Sequence, residues 1–284
     1  MKSRKTYLFI LFTFSLLNAF SQAGMSKKIF RSLAETNAYP LDSIQILYLE
    51  NMELSCIPDS VYLFPNLRTL SIKGNHIASI PDEIGKLVHL EDIEARDNEI
   101  TNISPEIIHL KQLKALKLYH NQLDSLPIEL LSLKNLKDFD ISRNPLSPEA
   151  LLMVCEMKQL TSLSISKLRL KKLPPEIGQL THLTFLSIFC NQIDSLPESF
   201  GNLKNLEVFN GGNNQRIVVC DSFTSLDHLQ RMYWVNNQWD SLPKAFEGMK
   251  SLRDVYVNSN RFSEEEKERV KKVFEGVYRL KIDN

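Results

Sequence analysis

Glycine is scarce in this 284-residue chain, nine in all, and none falls in a G-x-G-x-x-G or P-loop arrangement. Phosphate-cradling nucleotide sites are thereby excluded. No nucleophile–base motif is present either. The histidines, His76, His89, His109, His120, His182 and His228, form no H-x-H or H-x-x-x-H pair, so no metal site is expected. Excess charge is missing as well, because 34 basic residues balance 34 acidic ones. Nucleic acid calls for a basic surface, so that class of partner is disfavoured, and anionic membrane surfaces with it.

Long apolar runs are also lacking, apart from Tyr7 to Leu17. That run follows Lys2, Arg4 and Lys5 and precedes Ala19-Phe20-Ser21, a small-x-small cleavage pattern. It is too short to span a bilayer comfortably, and the three-part layout is that of a secretory signal peptide over residues 1–21. Its removal would start the mature chain at Gln22 and leave 31 basic residues against 34 acidic ones. The expected location is periplasmic, cell-surface or secreted, from a bacterium-like cell. No cofactor and no membrane span are expected, and a monomer is.

What the chain has in abundance is one line repeated ten times: L-x-x-L-x-L-x-x-N-x-L, with Ile, Phe, Val or Met allowed at the L positions. The copies start at Ile44, Leu67, Leu90, Leu113, Leu136, Leu160, Leu183, Leu206, Leu229 and Leu252. The step is 23 residues, with a single 24 after Leu136. A fixed period of this length means a solenoid. In the cleanest copy Leu116 and Leu118 are two apart and share one face of a short strand, while Lys117 and Tyr119 point the other way. Proline then ends the strand ladder at Ile80-Pro81, Leu126-Pro127, Leu173-Pro174, Leu196-Pro197 and Leu242-Pro243. The return segment, as in Pro81-Asp82-Glu83-Ile84-Gly85-Lys86-Leu87, spaces Ile84 and Leu87 for one inward-packed helical or 3₁₀ turn.

Asn75, Asn98, Asn121, Asn144, Asn191, Asn214, Asn237 and Asn260 form a second column. A buried unpaired amide is costly, so these residues should bond the backbone of neighbouring turns as a structural ladder. Met52 and Leu168 interrupt it.

With its 23-residue period and its L-P-x-x-I-G-x-L returns, the chain resembles the leucine-rich repeat family over about Ile44 to Phe262. The resemblance implies an α/β solenoid: a curved horseshoe with a parallel β-sheet on the concave face and short helical or extended returns on the convex face. It also implies a non-catalytic protein-interaction role. The expected layout is a cap at residues 22–43, repeats at 44–262, and a C-terminal cap helix and edge strand at 263–284. In the first cap Ile29, Phe30, Leu33 and Ala34 have helical spacing. In the second, Ser263-Glu264-Glu265-Glu266 reads as a capping box, Val270, Val273 and Phe274 as a buried stripe, and Gly276 as the stop. A longer convex helix follows Asn144-Pro145-Leu146-Ser147-Pro148-Glu149-Ala150.

Local anomalies carry further expectations. Gly211 stands where a core leucine belongs and Trp234 occupies the same place one repeat later, so the indole would fill the gap. Arg216 could stack on Trp239. The cysteines, Cys56, Cys155, Cys190 and Cys220, lie at different phases or several repeats apart, at roughly 5 Å per repeat against the ~7 Å Cα reach of a disulfide. Four reduced thiols are expected, with Cys155 and Cys220 buried. Asp92, Glu94, Asp138 and Asp140 share the concave face, but Lys117 between Glu94 and Asp140 makes a cross-strand charge ladder a simpler account than acid–base chemistry.

The concave columns are uneven. Repeats two to five are charged, whereas repeats seven to ten gather Phe185, Phe189, Val208, Tyr233, Val235 and Tyr256, with Tyr119 further back. Exposed aromatics on a sheet face are the material of interface hot spots, so these seven residues are the candidate contact set for a protein or peptide ligand. The competing readings are a carbohydrate or cell-envelope binder, with Ser162, Ser164, Ser166 and Ser187 hydrogen-bonding sugars, and an adhesive surface protein.

Overall fold

The computed structural model describes residues 28–283, so the expected signal peptide lies outside the described residues. Each repeat contributes one three-residue strand, from Ile46–Tyr48, Thr69–Ser71 and Asp92–Glu94 through to Arg231–Tyr233 and Asp254–Tyr256. Such strands are too short to stand alone. They persist because the middle residue of each, from Leu47 and Leu70 to Met232 and Val255, is fully buried. The ten strands stack in parallel and in register, Phe185 opposite Val208 and Tyr233 opposite Tyr256. Ile29–Phe30 extends the sheet at one end and Arg279–Lys281 at the other, giving twelve strands.

The returns are 3₁₀ turns such as Asp82–Lys86, Ile128–Ser132 and Pro175–Gln179, entered from Pro81, Pro127 and Pro174. Their inward residues Ile84, Leu130 and Ile177 are fully buried and close the core from the convex side. Helix α1 (Leu33–Thr36) follows the first strand, α2 (Pro148–Cys155) is the longer convex helix of the fifth repeat, and α3 (Glu264–Val273) caps the far end.

The asparagine column works as a hydrogen-bonded spine. Asn121 Oδ1 accepts from the Ile100 N–H at 2.9 Å, while its Nδ2 donates to the Ala95 and Leu118 carbonyls at 3.0 Å each. Asn98, Asn144 and Asn191 repeat this arrangement. Where the column holds Met52 or Leu168, the amide of the following asparagine reaches back to that residue's own N–H. The interruption therefore leaves no backbone donor stranded.

A further column was not read from the sequence. The residue before the asparagine position is left-handed in every repeat: Asn51, Gly74, Asp97, His120, Arg143, Lys167, Cys190, Asn213, Asn236 and Ser259. The residue types are too varied there to signal a shared conformation.

Two cap expectations need correction. Ile29 and Phe30 belong to an edge strand and not to a helix, because they pair with Ile46 and Leu47 and cover the open side of the first repeat. At the far end Ser263 Oγ accepts from the Glu266 N–H, but the Glu266 carboxylate does not return the bond. It accepts instead from Leu242 N at 2.7 Å and from Arg269, tying α3 to the ninth repeat. That pairing holds the Glu266 carboxyl below its ordinary range.

The Gly211 expectation holds. A Cβ at that position would sit 2.9 Å from Phe209 Cε1 and 3.1 Å from Trp234 Cζ3, so the indole occupies the missing side chain's place. Arg216 does not stack on Trp239. It pairs with Asp240 at 2.9 Å, and Trp239 is buried with its Nε1 donating to the Ile217 carbonyl.

All four cysteines are free, Cys155 and Cys220 buried and Cys56 and Cys190 exposed. Burial pushes the Cys155 thiol up to about 12 and raises that of Cys220. A thiolate-selective reagent at pH 8 is therefore expected to modify two thiols per folded chain and four in guanidinium. Four rapid reactions in the folded protein would contradict this packing.

Candidate binding surface

Alternation along each strand decides which side chains face the groove. The third, fifth and seventh positions of the repeats are left free, and the structure brings together six of the seven candidate residues. Phe185 lies opposite Val208 in one column. Tyr233 and Tyr256 occupy neighbouring strands of the next column and stack at 4.7 Å between ring centroids. Phe189 and Val235 share a third column, with Gly212 between them. All six are half-buried, since neighbouring side chains shield one another across the parallel strands.

Tyr119 does not join this group. It lies three repeats before Phe189 and is engaged by Lys167, whose Nζ donates to the Tyr119 hydroxyl at 3.3 Å and rests 5.7 Å from the ring centroid. Between Tyr119 and Phe189 the seventh-position column holds Ser142 and Ser166, both buried.

The edge strand adds two residues that sequence reasoning missed. Arg279 donates to the Tyr256 hydroxyl at 3.1 Å, and the Lys281 ammonium lies 5.9 Å from that ring. Arg231, opposite Val208, is exposed two strands before Arg279, with Asp254 between them. Extending the strand phase into residues 277–282 would have placed Arg279 and Lys281 next to Asp254 and Tyr256.

The charged half also differs in detail from the expected ladder. Lys117 reaches diagonally to Asp138 at 3.6 Å, and Glu94 forms a two-pronged pair with Arg96 at 2.6 Å on both contacts. Burial raises the Asp92 and Asp140 carboxyls, and Asp140 accepts from the Ser142 N–H at 3.0 Å. The serine cluster is largely engaged within the protein. Ser162 donates to Asp138 at 2.8 Å, and Ser166 and Ser187 share a 2.9 Å hydrogen bond. Only Ser164 of the four keeps a hydroxyl without a protein partner among the described residues, which counts against the sugar-binding arrangement.

A family model described as a leucine-rich repeat region matches residues 29–167 and 144–281. Among curated protein sequences none matches. The structure is similar to an internalin from Listeria monocytogenes, with 18% identity, a TM-score of 0.58, and coverage of 86% of this chain and 82% of that one. It is also similar to the ectodomain of a plant membrane receptor kinase from Arabidopsis thaliana in complex with Casparian strip integrity factor 2, with 20% identity and a TM-score of 0.53. That match covers 87% of this chain and 40% of the ectodomain. A leucine-rich repeat protein from Leptospira interrogans aligns at 21% identity over 90% of this chain and all of its own, with a TM-score of 0.33. At these identities the likeness is one of fold. Among the described residues no helix is long and apolar enough to cross a membrane.

Proposed function

Given that the chain belongs to the leucine-rich repeat family, whose folds are generally protein-interaction modules and typically non-enzymatic, we propose that it is a non-catalytic binding module, exported from the cytoplasm, that holds a protein or peptide ligand on its concave sheet face. The observation that carries this reading is the registered set Phe185, Val208, Phe189, Val235, Tyr233 and Tyr256 on adjacent strands. These side chains have no core duty, because the alternate positions fill the core. Aromatic rings on a rigid sheet lose little freedom on binding and can be fully desolvated by a partner. Export rests on the basic and apolar segment at residues 2–17. The complex of the plant receptor ectodomain with Casparian strip integrity factor 2 is a precedent for a bound partner on this fold, at the level of fold only.

The test is capture from envelope and culture-medium fractions with the chain starting at Gln22, followed by affinity measurement on the captured protein. Phe189→Ala/Tyr233→Ala is expected to weaken that affinity at least tenfold, a roughly one-decade effect for two interface aromatics, without moving the thermal midpoint. Equal affinity of both forms would remove the concave aromatic face from the proposal. A sugar ligand is less well supported, because Tyr233 and Tyr256 cover one face of each other and the serine hydroxyls are mostly engaged.

A further inference from the structure

A run of unpaired cations marks one edge of the fifth and sixth repeats. Lys167, Arg169, Lys171 and Lys172 fall within six residues that include no acid, and Arg143 stands beside Lys167 in the preceding repeat. All five are exposed. Several cations elsewhere are matched, Arg68 and Lys114 with Glu91, Arg96 with Glu94, Lys117 with Asp138, Arg216 with Asp240, and Arg269 with Glu247 and Glu266, and the unmatched ones outside the run are more scattered along the chain. Among the described residues no ion pair includes any member of the run. Asp194 comes near through its backbone, donating to the Lys171 carbonyl at 3.3 Å, but its carboxylate is taken by the Ser195 hydroxyl at 2.7 Å.

Backbone conformation gives a second, independent mark. Of the ten left-handed positions before the asparagine column, seven hold Asn, Asp, Gly, His or Ser. The three exceptions are consecutive: Arg143, Lys167 and Cys190. Arg169 is left-handed as well, at φ +61°, as are Glu53 and Gln238 at the matching place of the first and ninth repeats. Long side chains lack the local hydrogen bonds that make this region tolerable for Asn and Asp. The solenoid thus places cations where its own conformation disfavours them, in the same repeats where they stay unpaired.

The patch adjoins the concave aromatics. The Lys167 N–H donates to the Phe189 carbonyl at 2.9 Å, and the Lys167 ammonium crosses to Tyr119. Its reach is short, about two repeats or roughly 10 Å of stacking. On one side it is bounded by Asp92, Glu94, Asp97, Asp138 and Asp140, which would repel a long polyanion lying along the groove or a broad anionic surface. A few carboxylates on an extended chain fit both the charge and the span.

We infer that this edge receives a short segment rich in Asp or Glu, belonging to the same protein partner whose apolar residues meet Phe189 and Tyr233. The inference rests on the protein-binding reading above and names the chemistry of its ligand. The acidic side chains meet Arg143, Lys167, Arg169, Lys171 and Lys172, and the segment then turns across Phe189 onto the sheet.

Fluorescence anisotropy of a labelled hexaglutamate peptide tests this on the purified protein, with hexalysine, heparin and phosphatidylserine-containing vesicles as comparators. Hexaglutamate is expected to bind at low salt, to weaken as salt rises, and to lose about tenfold or more in affinity on Arg169→Glu/Lys171→Glu/Lys172→Glu, as expected when several rim charges are reversed together. The control reversal Lys244→Glu/Lys250→Glu should leave it unchanged. If the triple variant fails to fold, Lys171→Gln/Lys172→Gln gives the same readout with a smaller loss. No binding at low salt, or equal loss in the control, overturns the inference. Stronger retention of heparin or vesicles, abolished by the triple reversal, overturns it in favour of an anionic glycan or lipid surface. Neither result touches the partner-affinity measurement with Phe189→Ala/Tyr233→Ala, so the two readings fail separately.

Discussion

Replacing Asn121 with alanine is expected to destabilise the solenoid by roughly 2–4 kcal/mol, one orphaned buried donor and two lost hydrogen bonds. The substitution orphans the Ile100 N–H, and it takes one of two donors from the Ala95 and Leu118 carbonyls, which keep the Asn98 and Asn144 amides. A buried backbone group left unpaired costs about 1–3 kcal/mol, and water has no easy route to this column. Urea unfolding monitored by circular dichroism measures the loss as a shift in midpoint. Asn258→Ala is the control, because its side chain bonds only the neighbouring Ser259 hydroxyl. Equal shifts for the two variants would show that the column amides do not carry the stack.

The second large effect is a swap between two repeats. Trp234→Leu should cost about 2–4 kcal/mol, because a smaller side chain leaves unfilled the space that Gly211 vacates. Gly211→Leu alone should also destabilise, by about 1–3 kcal/mol, since its Cβ would press on Phe209 and on the indole. Combining them restores the ordinary leucine at both places and also removes a buried indole N–H that lacks a partner. The double variant should therefore be more stable than the sum of the singles predicts, by about 1–2 kcal/mol in a double-mutant cycle. Strict additivity would mean that the two residues do not compensate each other.

What could be read from the sequence was whatever the repeat forces. Leu116, Leu118 and Asn121 recur at one spacing, and burial leaves them a single face, so strand, core and spine followed from periodicity. Ser263 and Gly276 marked the last helix because caps act through local backbone chemistry. The first cap was harder. Two residues cannot display a strand period, and Ile29 and Phe30 became a strand because Ile46 and Leu47 offered an unpaired edge.

Side-chain pairing was legible only as far as columns. Phase placed Lys117 between Glu94 and Asp140, but reach and direction sent it to Asp138, while Glu94 found Arg96 on its own chain segment. The candidate surface divided in the same way. Six residues of the seven came together because they share columns, whereas Tyr119 was drawn off by Lys167, a residue 48 positions away that no column joins to it. The left-handed row stayed hidden for a different reason: the fold demands a conformation there and leaves the residue type open.

The compensation between Gly211 and Trp234 has an optical side. The chain's two tryptophans, Trp234 and Trp239, both belong to the ninth repeat, with ring centroids 4.9 Å apart and both buried. Intrinsic tryptophan emission thus reports on one end of a stack in which each turn touches only its neighbours. Circular dichroism averages over the whole stack. The protein carries its own local probe, and comparing the two signals during unfolding tells whether the solenoid opens as one body or from an end.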